Sequence, residues 1–169
     1  GTPFFFQGDE MGLADLPFKD ISELNDVESK NYYRQLQEQG KTPEEAWHTV
    51  LAGTSDHVRQ MLPWNDAEVP EHLKQTIDLN ITNMYQKLIA LRRSHKALIY
   101  GEFKVLDKRH NRFVYSRGNQ EEELIIDCNL TDREVIPYQV NASYELIWPE
   151  VLKGTSLPSY GARIWCRKK

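Results

Sequence analysis

The chain has 169 residues and a formal net charge of −4, from 21 Lys and Arg against 25 Asp and Glu. Its 40% hydrophobic and 27% charged residues are typical of one or two folded globular domains, and no apolar run approaches the roughly 20 residues that a membrane helix needs. Nucleic acid is not expected as a partner, because counterion release needs a clustered basic face and the only basic run is Arg167, Lys168 and Lys169.

The N-terminal segment predicts a buried strand. Phe4, Phe5 and Phe6 form a short continuous apolar run, which is typical of a strand buried on both faces. Such a strand needs neighbouring strands, and the sequence shows no parallel partner near it. The chain also begins without an initiator Met or a basic leader, so we expect it to be a portion of a longer protein.

Three helices are predicted between residues 28 and 96. The first, residues 28–39, ends before Gly40. The second, residues 43–51, begins with the N-terminal capping pattern Thr42-Pro43-Glu44-Glu45. The third, residues 80–96, has apolar side chains spaced three and four residues apart, at Ile81, Met84, Tyr85, Leu88 and Leu91.

From Gly101 onward the hydrophobic pattern changes from helical to alternating. Six short runs rich in β-branched and aromatic residues follow, at residues 103–106, 112–116, 123–128, 134–137, 144–148 and 162–167. They predict an antiparallel β-sandwich. We therefore expect two domains, residues 1–98 and 101–169.

The two cysteines, Cys128 and Cys166, are too few for a disulfide framework and lack the paired spacing of a zinc site. Both lie in strand-like runs, which favours buried, reduced thiols. A reducing, cytoplasmic location fits this usage, and we predict no metal site and no cofactor.

Four segments in a fixed order resemble one enzyme family. They are GTPFFFQGDEMGL at residues 1–13, DVESKN at 26–31, DHVR at 56–59 and LIALRR at 88–93. Together they resemble the oligo-1,6-glucosidase and α-glucosidase branch of the α-amylase superfamily, glycoside hydrolase family thirteen. The resemblance implies that residues 1–98 are the last strand, rim loop and helices of a (β/α)8 TIM barrel, and that residues 101–169 are its C-terminal β-sandwich.

The resemblance also implies retaining hydrolysis of the α-glucosidic bonds of short oligosaccharides by a pair of carboxylates, helped by a third acid. These acids belong to earlier barrel strands, before Gly1, so we expect no catalytic residue in this chain and no activity from it alone. Asp9 and Glu10 form an adjacent acidic pair, but adjacent side chains usually diverge, and the resemblance gives them a structural role at the barrel rim.

Three residues are implied to serve substrate binding. Arg59 matches the family Arg that holds the terminal glucose, and Glu28 matches the Glu that lines the site for the next sugar. Asp56 is expected to orient the loop or Arg59. The non-functional alternatives are that Arg59 is a surface residue and that Glu28 is a helix-terminal residue stabilised by the helix dipole. The family pattern changes at Ser55 and at residues 60–64, so the linkage specificity stays open.

Two other functions stay open. The aromatic side chains of Trp148, Tyr160 and Trp165 would stack on sugar rings if the second domain were a carbohydrate-binding module. Alternatively, the apolar run at residues 4–6 would bury itself against a second copy of the chain, as part of an assembly.

Overall fold

The structure is a computed structural model that describes residues 2–59, 62, 77–109, 111–149 and 154–169. The chain divides into two compact units, Phe5–Tyr85 and Gln86–Lys169, the second of which includes the first residues of the chain. The predicted domain bounds, 1–98 and 101–169, stay a prediction. Within the described ranges, every helix is too short or too polar to cross a bilayer.

The unit Phe5–Tyr85 is built around two helices, α1 (Val27–Glu38) and α2 (Pro43–Leu51). The predicted capping box of α2 is complete, because the Thr42 hydroxyl accepts a hydrogen bond from Glu45 N and the Glu45 carboxylate accepts one from Thr42 N. The core of this unit consists of buried apolar side chains from both helices and the preceding loop, namely Leu24, Leu36, Ala46 and Val50.

The third predicted helix is two helices, α3 (Leu79–Ser94) and α4 (Lys96–Tyr100). The predicted continuation to residue 96 is wrong at His95, whose extended backbone (φ −115°, ψ 100°) ends α3. The cause is a contact distant in sequence: the Ala97 N–H of α4 donates to the Glu122 carboxylate at 3.1 Å. The apolar face of α3 contributes Leu88 and Leu91 to the core of the second unit.

A five-stranded antiparallel sheet forms most of the second unit. Its strands, in the spatial order β1-β2-β3-β5-β4, are β1 (Glu102–Arg109), β2 (Arg112–Gly118), β3 (Glu122–Asn129), β4 (Glu145–Trp148) and β5 (Ala162–Lys168). The predicted strand at residues 134–137 is wrong: only Val135 pairs there, in an isolated bridge to Leu157. Pro137 has no N–H for a ladder, and the Tyr138 N–H donates to Asp127 instead.

Both faces of this sheet carry apolar side chains. On one face, Leu124, Ile126 and Ile164 form a cluster with Ala97 of α4. On the other face, Val114, Ile125 and Trp165 form a second cluster, against which Tyr138, Val140 and Tyr144 pack. The architecture within the described ranges is thus an antiparallel sheet with helices on one face and an irregular segment on the other.

The apolar run Phe4, Phe5 and Phe6 does not form the predicted buried strand. It has no regular secondary structure, and the three side chains are 92%, 53% and 53% exposed. The Phe5 ring makes an edge contact with Tyr85, at 5.3 Å between centroids. A strand buried on both faces lies inside a sheet, where it is hydrogen-bonded to neighbouring strands along its edges. Among the described residues, the sheet consists of β1 to β5 and does not include this run.

Both thiols are free, Cys166 buried and Cys128 half-buried. Burial raises the pKa of each thiol above its ordinary value, with a nearby carboxylate acting in the same direction.

The aromatic side chains considered for sugar stacking differ in exposure. Trp165 is buried and Trp148 packs against the core, whereas Tyr160 is 73% exposed.

Candidate functional site

The beginning of α1 and the short 3-10 turn Ser55–His57 bring the predicted substrate-binding residues into one region. Asp26 is the N-cap of α1, and its carboxylate accepts hydrogen bonds from the backbone N–H and the hydroxyl of Ser29, the latter at 2.6 Å. Glu28 lies in the first turn of the same helix. The capping interaction therefore fixes the direction in which α1 presents Glu28.

Asp56 is buried, and its carboxylate joins the turn to the segment that leads into α1. One oxygen accepts hydrogen bonds from the backbone N–H groups of Asn25, at 2.5 Å, and Asp26, at 2.9 Å. The two donors are about thirty residues away along the chain, so Asp56 sets the relative position of two loops. It acts on the backbone of the site and makes no direct contact with the Arg59 side chain among the hydrogen bonds of the described residues.

Arg59 lies beside the N-cap of α1. Its Nη1 is 3.5 Å from Asp26 Oδ1, and its side chain is 65% exposed. The Ser29 hydroxyl lowers the pKa of Asp26, and the charge of Arg59 acts in the same direction. The pair presents a carboxylate that is ionised at neutral pH beside a guanidinium, most of whose surface faces solvent. A guanidinium held in this way can still donate hydrogen bonds to the hydroxyls of a sugar.

Glu28 is exposed at the edge of a cavity of about 270 Å³. The same cavity is lined by Asp26, Tyr32 and Thr49. It therefore offers carboxylate acceptors, a hydroxyl and an aromatic ring, which are the groups that recognise polyhydroxylated ligands. Arg59 does not line this cavity, but its guanidinium contacts Asp26, which does line it.

Two further residues of this region lie in the segments that carry the resemblance but were given no role from the sequence. Asp26 connects Arg59 to the cavity, and the pattern Asp26-x-x-Ser29 before a helix is a capping signal that identifies it. His57 is buried, accepts a hydrogen bond from Leu16 N at Nδ1 and lies 2.8 Å from Leu51 O at Nε2. These partners assign the proton to Nε2 and give His57 a structural role. No local pattern reveals that role, because Leu16 is distant in sequence.

Asp9 and Glu10 have local partners. The Asp9 carboxylate accepts from Phe6 N at 3.2 Å, and the Glu10 carboxylate accepts from Gly8 N at 3.0 Å. Both interactions close the turn Asp9–Met11. Neither arrangement pairs the two carboxylates for acid–base chemistry.

Comparison with known proteins places this geometry in context. No family profile matches the chain. A glucan 1,6-alpha-glucosidase of Streptococcus dysgalactiae subsp. equisimilis is 30% identical over 158 residues, which cover 80% of this chain and 29% of that enzyme. An oligo-1,6-glucosidase of Parageobacillus thermoglucosidasius is 25% identical over 98% of this chain and 35% of its own length. The chain is a homologue of the oligo-1,6-glucosidases. The resemblance predicted from its four segments is confirmed.

Solved structures agree with this homology. The chain superimposes on a trehalose-6-phosphate hydrolase of Bacillus licheniformis with a TM-score of 0.79 and 26% identity, over 100% of this chain and 36% of that enzyme. The chain therefore spans about a third of the length of the relatives that it matches. None of these comparisons tests the roles of Arg59, Glu28 and Asp56, which stay predictions.

Proposed function

We propose that this homologue is the C-terminal part of a retaining α-glucosidase of the oligo-1,6-glucosidase type, which hydrolyses α-glucosidic bonds of short oligosaccharides. The observation that carries the proposal is the homology to glucan 1,6- and oligo-1,6-glucosidases over 80% or more of the chain. In this proposal residues 1–98 are the end of a (β/α)8 barrel and residues 101–169 its C-terminal β-sandwich. The catalytic acids belong to the barrel strands that precede this part.

In the same proposal, the site at the beginning of α1 contributes to substrate binding. Arg59 grips a terminal glucose, Glu28 accepts hydrogen bonds from the next sugar, and Asp56 holds the loop on which both depend. The proximity of Arg59 and Glu28 supports these roles, since Asp26 is in contact with Arg59 and lines the same cavity as Glu28.

A comparison of the complete gene product with the 169-residue chain tests the proposed function. The complete protein is expected to release glucose from isomaltose and to cleave a nitrophenyl α-glucoside, whereas the chain alone is expected to turn over neither, because a double displacement requires both carboxylates. A complete protein without activity on any α-glucoside would contradict the function. Turnover by the chain alone would show that the catalytic acids are assigned to the wrong part of the protein.

In the complete enzyme, Arg59→Ala should weaken transition-state binding by roughly 2 to 4 kcal/mol, because a charged donor to a sugar hydroxyl is lost in a site from which the bound sugar displaces water. In terms of kcat/KM this is about a thirtyfold to several-hundredfold decrease. The matched control is Arg34→Ala, which removes an exposed Arg of α1 whose guanidinium donates to Asn31. Steady-state kinetics that are the same for both variants would make Arg59 a surface residue and leave the function itself intact.

We further propose that the isolated chain self-associates through the apolar run Phe4 to Phe6. The support is the exposure of these side chains, with Phe4 92% exposed. Sedimentation should show a dimer or larger species at micromolar concentration, and replacing all three Phe by Ser should convert it to monomer. A wild-type chain that sediments as a monomer would refute this.

A carbohydrate-binding module has less support. Trp165 and Trp148 belong to apolar clusters of the sheet, so of the three side chains considered only Tyr160 offers a largely exposed ring. A single exposed ring is a weak platform for a sugar.

A further inference from the structure

Three side chains of the types that bind metals converge within the sheet unit. They are His95 between α3 and α4, Glu122 at the start of β3, and Cys166 in β5, and one ligand atom from each lies within 4.8 Å of the others. His95 Nδ1 is 2.8 Å from Glu122 Oε2. Cys166 Sγ is 3.9 Å from the same oxygen and 4.0 Å from His95 Nδ1.

The fold holds this cluster in place. In the ladder between β3 and β5, Glu122 is opposite Lys168 and Leu124 is opposite Cys166, so Glu122 and Cys166 project from the same face of the sheet. The other carboxylate oxygen of Glu122 accepts from Ala97 N at 3.1 Å, which turns Oε2 towards His95 and Cys166. Glu122 and Cys166 are 3% and 7% exposed, and the His95 side chain is 15% exposed.

We propose that His95, Glu122 and Cys166 form a zinc-binding site. An imidazole nitrogen, a carboxylate oxygen and a thiolate are the three ligand types that Zn²⁺ takes in proteins. Tetrahedral zinc bonds place nitrogen and oxygen about 3.3 Å apart and sulfur about 3.5 Å from either. The observed separations differ from these by about half an ångström, which side-chain rotation can supply. Three protein ligands leave one position for water.

In the metal-free chain a lysine ammonium pairs with the same carboxylate oxygen of Glu122. Lys168 Nζ lies 2.9 Å from Glu122 Oε2, and this side chain is 74% exposed. The Lys168 ammonium and the Ala97 N–H donate to the two different oxygens of this carboxylate, which holds it in place in the metal-free chain. On zinc binding the Lys168 ammonium would give up its ion pair with Glu122, and the thiol proton of Cys166 would pass to solvent.

Metal titration of the metal-stripped 169-residue chain tests this site. Co²⁺ should produce the near-ultraviolet charge-transfer band of a thiolate bound to cobalt, and Zn²⁺ should abolish it at one equivalent. Cys166→Ser and His95→Gln should each weaken Zn²⁺ binding at least tenfold. Cys128→Ser is the matched control, since it removes the other cysteine, and it should leave both the band and the affinity unchanged.

Lys168→Gln separates a metal site from a purely structural hydrogen-bond cluster. It removes the competing cation and should tighten Zn²⁺ binding at least threefold, the opposite of the ligand variants. Because Lys168 is exposed, this variant should fold, and circular dichroism of every variant shows whether it does. Absence of the cobalt–thiolate band in the wild type, loss of the band in Cys128→Ser, or unchanged zinc affinity in a folded Lys168→Gln would each overturn the proposal.

Discussion

Replacing Arg112 by Met is expected to lower the free energy of unfolding of the sheet unit by about 3 to 5 kcal/mol. Asp127, on the neighbouring strand, is fully buried and accepts two hydrogen bonds from Arg112, at 2.8 Å from Nε and 2.6 Å from Nη2. Met fills a similar volume but leaves the carboxylate without its countercharge. Among the described residues, the Tyr138 N–H would then be its one remaining hydrogen-bond donor.

The matched control is Arg109→Met. Arg109 pairs with Asp107 in the same sheet, but its side chain is 65% exposed, and exposed pairs contribute only about 0 to 1 kcal/mol. Urea denaturation, with amide hydrogen exchange of β3 as the local readout, measures both variants. Equal losses in the two variants would show that burial of Asp127 does not govern the contribution of this pair.

The helices of the first unit could be predicted from the sequence because their signals are local. The capping box of α2 involves Thr42 and Glu45, three residues apart, and the observed bounds Pro43–Leu51 coincide with the predicted ones. The strands β1, β2 and β3 follow one another along the chain and pair as neighbours, so alternation and turn residues were enough to locate them.

Features fixed by distant partners could not be predicted in this way. The break at His95 depends on Glu122, which lies far along the chain and accepts from Ala97 N. The segment around Val135 has strand-like composition, but the Tyr138 N–H donates to the buried Asp127 instead of a neighbouring strand. The composition of a segment indicates how well it suits a strand. It does not indicate which N–H group donates a hydrogen bond to a buried carboxylate.

The candidate site also combines features with local sequence signals and features that depend on distant partners. The resemblance gave expected roles to Arg59, Glu28 and Asp56. It included Asp26 in the segment at residues 26–31 without a role, and the structure shows that its carboxylate contacts Arg59 and lines the cavity with Glu28. The N–H groups that Asp56 accepts from belong to a loop about thirty residues earlier. The sequence therefore predicts which groups face a substrate, which stays a prediction, while the structure identifies the groups that hold these residues in place.

Leu124→Ala is expected to lower the free energy of unfolding of the sheet unit by about 2 to 5 kcal/mol. Leu124 is the third residue of β3 and is fully buried, in the cluster that joins the sheet to Ala97 of α4. Truncation removes apolar contacts and leaves a cavity lined by strand residues, which their hydrogen-bonded ladders prevent from collapsing. The loss should therefore lie in the upper half of the range.

Leu130→Ala is the control for the same chemical change. Leu130 follows β3 directly but is 55% exposed, so its truncation should change the free energy of unfolding by about 0.5 kcal/mol or less. Urea denaturation measures both variants, and hydrogen exchange should show that Leu124→Ala deprotects β3 and β5 together, because the two strands share a ladder through Leu124 and Cys166. A loss below about 1 kcal/mol for Leu124→Ala would mean that the helices can move in to fill the cavity, and that the cluster around Ala97 is not rigidly packed.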